Sequence, residues 1–172
     1  MEITASQLRL PTISVPIRVA VVGKKELVNA EVFIVDTPRS GRTAVIDDVV
    51  ALFEADGTFI PMKCETGVRI YGKDSLACVA VRRRPEMIPD QEEASEVFTL
   101  YDHQHRVEVE LIGGMRLEGM LMDSSPSNRS RAVDHLNRVG RFVRLWAADE
   151  HYLINKGQIV QVGEMVWTPA AD

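Results

Sequence analysis

An internal repeat constrains the fold of this chain more than any other feature of its sequence. At an offset of 87 residues, segment 28–36 (VNAEVFIVD) aligns with segment 115–123 (MRLEGMLMD). Four additional residues near 53–57 of the first copy change the offset to 83, which places Phe59 on Phe142. A repeat of this length is a supersecondary unit that is used twice, so the sequence predicts two similar modules.

The size and charge of the chain restrict its possible classes. It has 172 residues, of which 45% are hydrophobic and 26% are charged, as in ordinary globular proteins. Each copy of about 70 residues lies near the lower limit for an independent core, so we expect the copies to pack together or the chain to oligomerise. The formal net charge of −5 contrasts with the basic surplus of most nucleic-acid-binding proteins, which makes RNA a less favoured partner.

Cysteine content and hydropathy are typical of an intracellular protein. Cys64 and Cys78 are too few for a disulfide framework and lie in apolar, strand-like runs, so we expect small core residues rather than a redox pair. The first residues lack the charged start and the continuous apolar run of a signal peptide. No stretch has enough consecutive apolar residues to span a bilayer. The sequence therefore predicts a cytoplasmic protein without membrane insertion.

Hydrophobic patterns and turn signals predict the same order of elements in both copies: two strands, a turn, a helix and three short strands. In the first copy we expect strands at 14–23, 29–36, 58–65, 68–71 and 76–82, and a helix at 44–54. In the second copy we expect strands at 106–111, 116–123, 142–147, 151–154 and 158–163, and a helix at 131–139. Five strands with tight turns in so few residues suit a small bent barrel. The predicted domains are a first barrel at 14–84, a linker with a short helix at 85–100, and a second barrel at 101–165.

The second copy resembles the first signature of Sm-like proteins. The matching residues form an alternating strand, a glycine turn, a mid-strand glycine and an acidic strand end: Val107, Val109, Leu111, Gly114, Gly119, Leu121 and Asp123. Residues 152–162 are similar to the second Sm-like signature, as are residues 68–76 of the first copy. The resemblance implies a mainly β fold of two tandem Sm-like, SH3-like five-stranded barrels, each with a short helix inserted between its second and third strands.

Both copies depart from the Sm-like pattern, in the run that binds RNA and, in the first copy, also at the glycines that bend the barrel. Sm-like proteins hold a uridine base with an Asp-x-x-Met-Asn run, whereas the second copy reads Asp-Ser-Ser-Pro-Ser-Asn from Asp123. The first copy has Leu27 and Val32 where the second has Gly114 and Gly119. The resemblance therefore implies the barrel without the RNA chemistry of the family.

Two arginines recur at the same spacing between aspartates. Arg42 lies between the aspartates at 36 and 47, and Arg129 lies between those at 123 and 134. An arginine at a turn before a helix is suited to bind a phosphate or a carboxylate of a partner. Alternatively, each arginine braces its own loop by pairing with the flanking aspartates, and this second role is favoured because those carboxylates would already neutralise the guanidinium.

The strongest basic cluster lies at the end of the first predicted barrel. It consists of Arg82, Arg83 and Arg84, with Lys63 and Arg69 as candidate neighbours. Such a cluster is suited to the phosphates of RNA or of a cyclic dinucleotide, or to an acidic partner protein. A charge run of this kind is also typical of a solvated linker, and this second interpretation is favoured.

Aromatic and histidine residues provide two further candidates. Trp146 aligns with Lys63, so we expect it to face outward, where it would contact a partner protein. Phe142 aligns with Phe59 and is expected in the core. The two histidines of segment 103–105 lie on one side of an extended strand, but the sequence suggests no third ligand and we expect no metal site.

No nucleophile triad, phosphate-binding glycine loop or pair of catalytic acids appears in the sequence, so it predicts a non-enzymatic protein without a cofactor. We interpret the chain as an assembly or adaptor subunit that binds partner proteins, or itself, through strand edges and barrel faces, and that forms rings or other oligomers. The alternative is an Sm-like RNA-binding regulator. A weaker alternative is a sensor of a nucleotide second messenger.

Overall fold

A computed structural model describes residues 12–35, 44–82, 103–123 and 131–165 of the chain. Several predicted features lie outside these ranges: the short linker helix, Arg42, Arg83, Arg84 and Arg129. Arg82 and Trp146 lie inside them, so the structure gives the surroundings of these two candidates.

Both halves of the chain show the same order of elements in the described ranges. Strands β1 (Thr12–Val21) and β2 (Val28–Val35) precede helix α1 (Ala44–Glu54), and strands β3 (Phe59–Cys64), β4 (Gly67–Gly72) and β5 (Leu76–Arg82) follow it. The second half consists of β6 (His103–Leu111), β7 (Arg116–Asp123), helix α2 (Ala132–Leu136), β8 (Phe142–Trp146), β9 (Glu150–Asn155) and β10 (Ile159–Glu164). A turn of 3-10 helix precedes the last strand of each half, at Lys73–Ser75 and Lys156–Gln158.

These strands form one antiparallel sheet in the order β10-β6-β7-β8-β9-β5-β1-β2-β3-β4. Each half keeps its own five strands together, with the last strand of the half placed beside the first. The prediction of a mainly β protein is confirmed, and the repeat in the sequence is also a repeat of strand order. Strands β5 and β9 join the two halves, whereas β4 and β10 lie at the two ends of the sheet.

Two glycines permit close approaches that a side chain would block. A Cβ atom at Gly119, in the middle of β7, would lie 2.5 Å from the carbonyl oxygen of Trp146 on the neighbouring strand. The close contact between these strands therefore requires a glycine at this mid-strand position. Gly113 has a φ of +95° in the turn between β6 and β7, and a Cβ there would lie 2.9 Å from the Cα of Gly23 in the other half.

Two hydrophobic cores lie along the sheet, one in each half. The first core lies between the strands of the first half and helix α1. The helix contributes three apolar residues spaced three and four positions apart: Ile46, Val49 and Phe53. This core also contains Phe142 and Leu153 from the second half. The second core in turn contains three residues from the first half: Ala20, Ala77 and Cys78. Each core is therefore completed by residues of the other half.

A lysine that recurs in the repeat closes the end of the helix in each half. The buried Lys73 ammonium donates to the backbone carbonyls of Leu52 (3.2 Å) and Ala55 (2.7 Å) at the end of α1. The aligned Lys156 donates to the backbone carbonyl of Arg138, just after α2, at 2.6 Å. The last carbonyls of a helix have no partner within the helix, so Lys73 satisfies groups that would otherwise need water, and Lys156 makes the corresponding bond to the turn after α2.

Candidate functional site

The boundary between the halves is a strand junction inside the chain, in which β5 pairs with β9. Five residue pairs form it, from Cys78↔Ile154 to Arg82↔Glu150. We call this pairing the internal junction. It shows how the last strand of one half binds the fourth strand of the other half, and it provides a reference for the strands at the two ends of the sheet.

Two large side chains of the second half are buried at the internal junction. Leu153 on β9 is 1% exposed and Phe142 on β8 is 6% exposed, and both belong to the first core. The Phe142 ring packs edge-to-face on Phe53 of α1, with the ring centroids 5.8 Å apart. Burial of such a side chain contributes about 1.5–3 kcal/mol, so these two residues anchor the second half to the first.

Hydrogen bonds to backbone groups fix the position of the second half. The Glu54 carboxylate, at the end of α1, accepts from the backbone N–H groups of Arg141 (2.9 Å) and Phe142 (2.7 Å). The buried Asn155 amide donates to the backbone carbonyl of Leu76 at 3.0 Å. The bonds of Phe142 and Asn155 satisfy groups that the junction removes from water, and the three bonds together define one alignment of the two halves.

Glu150 lies at the outer end of the internal junction between two hydrogen-bond donors. Its carboxylate accepts from Arg18 Nε at 3.0 Å and from the Tyr152 hydroxyl at 2.6 Å. Burial alone would raise the pKa of Glu150, but these hydrogen bonds and the positive charges of Arg18 and Arg82 outweigh it and lower that pKa. Burial, followed by the hydrogen bond to Glu150, raises the pKa of Tyr152. The carboxylate is therefore held in its ionised form by structural hydrogen bonds.

Trp146 packs among side chains at the internal junction. Its ring is half-buried and lies edge-to-face against the fully buried His151, with the ring centroids 4.2 Å apart. Arg144 donates to His151 Nε2 at 3.1 Å and to the Asp47 carboxylate of α1 at 3.0 Å. The ring is thus only partly open to solvent, and the contact of Trp146 with a partner protein stays a prediction.

Apolar side chains are exposed next to one end of the sheet. Phe59 on β3 is 68% exposed, and Val68 and Ile70 on β4 are 65% and 74% exposed. Pro61 is also exposed and lies opposite Ile70 in the strand register, so these residues share one face of the β3–β4 hairpin. We call Phe59, Pro61, Val68 and Ile70 the β3–β4 patch.

The strands at the two ends of the sheet have a free side in the described ranges. Strand β4 pairs only with β3, and β10 pairs only with β6. Val160, on β10, is 60% exposed. Proteins usually cover or interrupt an open strand edge, because its unpaired N–H and C=O groups bind a further strand. An open edge beside a contiguous apolar patch is typical of a binding surface for another protein.

A half-open groove of about 1380 Å³ runs along the internal junction. Its charged residues have both signs: Arg18, Lys63, Arg82, Glu31, Glu65, Asp149 and Glu150. Arg82 and Lys63 thus share one surface, whereas Arg69 lies outside the groove and donates to the Thr66 hydroxyl at 3.1 Å. Among the described residues the carboxylates offset the cations, so this groove does not present a continuous positive field to phosphates.

The recurrent aspartates contact arginines inside the described ranges. The ion pairs join Asp47 to Arg144, Asp123 to Arg138, and Asp134 to Arg131. Arg42 and Arg129 lie outside these ranges, so their roles in binding or in bracing their loops stay predictions. Three carboxylates that were candidates for pairing with these two arginines therefore have arginine partners elsewhere in the fold.

The two histidines of segment 103–105 and both cysteines lie within the described residues. In the part of the chain that the structure describes, no group of three or more His, Cys, Asp or Glu side chains is placed to hold a metal ion. Both cysteines are free thiols, and Cys78 is buried in the second core. Burial raises the pKa of the Cys78 thiol to about 12, so this thiol is not reactive at neutral pH.

Comparison with known proteins gives no family for the chain. It matches no protein-family model, and no curated protein or solved structure shows significant similarity to it. Neither helix of the described ranges is long and apolar enough to cross a membrane. The open edges and the β3–β4 patch are therefore the features from which a function can be inferred.

The residues of the β3–β4 patch were not among the sequence-based candidates. Val68 and Ile70 alternate with polar or small residues in β4, and this alternation predicts a strand with one buried face. The structure exposes that face instead. The signal was present in the sequence, but it indicates a partner only when the strand is known to lie at the end of the sheet.

Proposed function

We propose that this chain is a non-enzymatic assembly or adaptor subunit that binds protein partners through β4 and β10. In this proposal the two halves are Sm-like barrels, spanning 14–84 and 101–165, joined side by side by a linker at 85–100. The common strand order of the halves supports the tandem arrangement. The chain then acts as a short rigid unit whose two free ends carry different strands.

The observation that carries the proposal is the open β4 edge with its apolar patch. Side chains exposed by 65–74% on one hairpin face remain in contact with water unless a partner covers them. Covering them removes apolar surface from water, and strand pairing along β4 satisfies its free backbone groups at the same time. Backbone pairing supplies general affinity, and the patch supplies the specificity of shape that distinguishes one partner from another.

Nucleic acid is less favoured as a ligand because of the net charge of the chain and the mixed charges of the groove. The chain has a formal net charge of −5, and the groove next to Arg82 contains carboxylates as well as cations. Phosphate binding depends on a local excess of positive charge, which releases counterions from the nucleic acid. The exposed apolar patch has no role in such binding, whereas protein binding would use it.

A native pull-down with paired variants tests the proposal. Tagged wild-type protein should retain a protein in a fixed ratio, either another protein or an untagged copy of the chain. Ile70→Asp places a charge in the β3–β4 patch and should abolish retention. The matched variant Phe33→Asp changes a 43% exposed aromatic on β2, away from the sheet ends, and should retain the partner.

Two results would contradict the proposed function. One is a wild-type chain that is monomeric and retains no protein at low salt. The other is co-purification of nucleic acid that is lost after a salt wash while no protein is retained, because this pattern indicates phosphate binding.

A further inference from the structure

The β3–β4 patch corresponds to a face of the second half that is buried in this structure. At the offset of 83 residues, Phe59 aligns with Phe142 and Ile70 aligns with Leu153. Phe142 and Leu153 are 6% and 1% exposed, whereas Phe59 and Ile70 are 68% and 74% exposed. Equivalent apolar positions in the two halves therefore have opposite surroundings.

The strand beyond the hairpin explains this difference. Strand β9 lies against β5, so the outer face of the β8–β9 hairpin covers the first core. Strand β4 has no further strand beside it in the described ranges. Val68 follows the same rule, since it is 65% exposed while its counterpart His151 is fully buried. The β3–β4 patch therefore has apolar residues like those with which β8–β9 covers the first core, but in the described ranges no core lies against it.

At the other end of the sheet, strand β10 lacks, within the described residues, a hairpin that would cover its apolar residues. Strand β10 corresponds to β5, in which Leu76 and Val79 are fully buried in the first core together with Phe142 and Leu153 of the second half. Their counterparts Ile159 and Val162 are only half-buried against the second core. In the first half, Leu153 of β9 covers the equivalent part of the core. The second half has the core and the strand but lacks the covering hairpin.

We propose that the β3–β4 patch of one chain docks beside β10 of a second copy and repeats the internal junction there. Transferring the pairing of β5 with β9 gives a defined antiparallel register. The expected pairs are Ile70 with Val162, Tyr71 with Gln161, and Arg69 with Gly163. Phe59 and Ile70 then complete the second core of the neighbouring chain, as Phe142 and Leu153 complete the first core within one chain.

The second copy is favoured as the occupant because the chain itself carries both complementary surfaces. The internal junction demonstrates that the fourth strand of one half fits the last strand of the other. The free ends present the same two strands in the same order at opposite ends of one sheet. Contact between copies is then head-to-tail, so each added chain leaves one new free edge of each kind until the assembly closes. This inference rests on the proposed function and names its partner.

The contact between copies should be weaker than the internal junction, because the polar contacts are not repeated. Asn155 and Glu150 form hydrogen bonds across the internal junction, but glycines occupy their aligned positions, Gly72 and Gly67. Arg144, which pairs with α1, aligns with Pro61. The contact is therefore mainly apolar and depends on protein concentration.

Sedimentation velocity over a concentration series of the full chain tests the proposal. The weight-average mass of the wild-type chain should rise with concentration beyond that of a monomer. The double variant Phe59→Ser/Ile70→Ser should shift the midpoint of this rise to a concentration at least about tenfold higher, which corresponds to about 1.4 kcal/mol. The control Phe33→Ser should leave the midpoint unchanged.

A mixing experiment tests the head-to-tail arrangement with variants that change only exposed positions. Ile70→Asp blocks the β4 end, and Gly163→Arg blocks the β10 end, where an added Cβ meets no atom within 4 Å. Each variant alone should remain monomeric. Their equimolar mixture should form a dimer and no larger species, because one intact end of each kind remains.

Monomeric wild-type chain at all concentrations would overturn the inference, as would association that the double variant or the blocked ends leave unchanged. These results are distinguishable from failure of the proposed function. A monomeric chain that retains a different protein through Ile70 overturns only the second copy as partner. A monomeric chain that retains no protein overturns both proposals.

Discussion

The internal junction and the open ends of the sheet use equivalent strands in different surroundings. Leu153 and Ile70 occupy the same position of the repeat, yet one is 1% exposed and the other 74%. The residue type is apolar in both halves, so the difference arises from the strand that lies next to each hairpin. The comparison shows that the exposure of a residue in a repeated fold depends on whether its half lies inside or at the end of the sheet. The exposed hairpin at the end keeps the apolar residues of the buried hairpin.

The two regions also differ in their polar groups. The internal junction fixes its geometry with Glu54, Asn155 and the ion pair of Arg18 with Glu150. The β3–β4 hairpin has Pro61, Gly72 and Gly67 where the second half has Arg144, Asn155 and Glu150. A permanent contact within a chain benefits from buried hydrogen bonds that define one alignment. A contact between separate molecules that forms and dissociates is compatible with fewer of them.

The largest expected effect is a difference in unfolding free energy when the aligned residues Leu153 and Ile70 are each truncated to alanine. Leu153→Ala should lower the free energy of unfolding by about 2–5 kcal/mol, because it leaves a cavity in the first core. Ile70→Ala should change it by less than about 0.5 kcal/mol in the monomer, because the side chain is exposed. Urea unfolding at low protein concentration measures both values. Equal losses at the two positions would contradict the distinction between a covered and an open hairpin.

The next largest effect concerns the hydrogen bonds of the internal junction. Glu54→Ala removes the acceptor of two backbone N–H groups and should lower the free energy of unfolding by about 1–3 kcal/mol. Glu26 is an exposed carboxylate in the turn between β1 and β2 and provides the control. Glu26→Ala should have an effect within about 0.5 kcal/mol. If both variants unfold at the same urea concentration, the Glu54 hydrogen bonds do not stabilise the junction.

Acid titration tests the Glu150 network at the same junction. Hydrogen bonds from Arg18 and Tyr152 lower the pKa of Glu150 in the folded protein despite its burial, so its contribution to stability is fully present above the ordinary carboxyl pKa. The contribution is lost as the pH falls through the lowered pKa. The urea midpoint of the wild-type chain should therefore fall on acidification below about pH 4.5, and Glu150→Gln should reduce this dependence.

Tyr152→Phe removes one of the two donors to Glu150 and provides an intermediate case. Its acid dependence should lie between that of the wild-type chain and that of Glu150→Gln. An acid dependence that is identical in all three proteins would show that the Glu150 network makes no contribution to the pH response.

The smallest expected effect concerns the basic cluster Arg82, Arg83 and Arg84, of which the structure describes Arg82 at the outer end of the internal junction. Replacing Arg82, Arg83 and Arg84 by glutamate should shift stability by less than about 1 kcal/mol, because Arg82 is exposed at the end of β5. Association measured by sedimentation should be retained. Loss of protein-partner binding with an intact circular dichroism spectrum would identify the cluster as a binding site, and loss of bound RNA would favour the RNA-binding alternative.

The sequence was sufficient to predict the repeat, the order of strands and the mainly β class, because hydrophobic alternation and turn residues are local signals. It was not sufficient to predict which hairpin is covered, because this depends on pairing between residues far apart in the chain. Phe142 is a core residue as expected, but the reason was wrong, since its aligned partner Phe59 is exposed. The alignment of Phe142 with Phe59 was correct, but the assumption that their surroundings are equal was not. Trp146, which aligns with the exposed Lys63, is half-buried, and its role in binding a partner stays a prediction.

Disulfide trapping between chains tests the central claim most directly, namely that the open ends repeat the internal junction. In a Cys64→Ser background, Ile70→Cys combined with Val162→Cys places thiols at an expected pair, within the Cα separation of about 4.4–6.8 Å that a disulfide needs. The control combines Ile70→Cys with Gln161→Cys, whose side chain lies on the opposite face of the strand. We predict covalent dimers and larger species on oxidation of the first variant and only slow, weak crosslinking of the control. Equal crosslinking of the two, or none in either, would contradict the account.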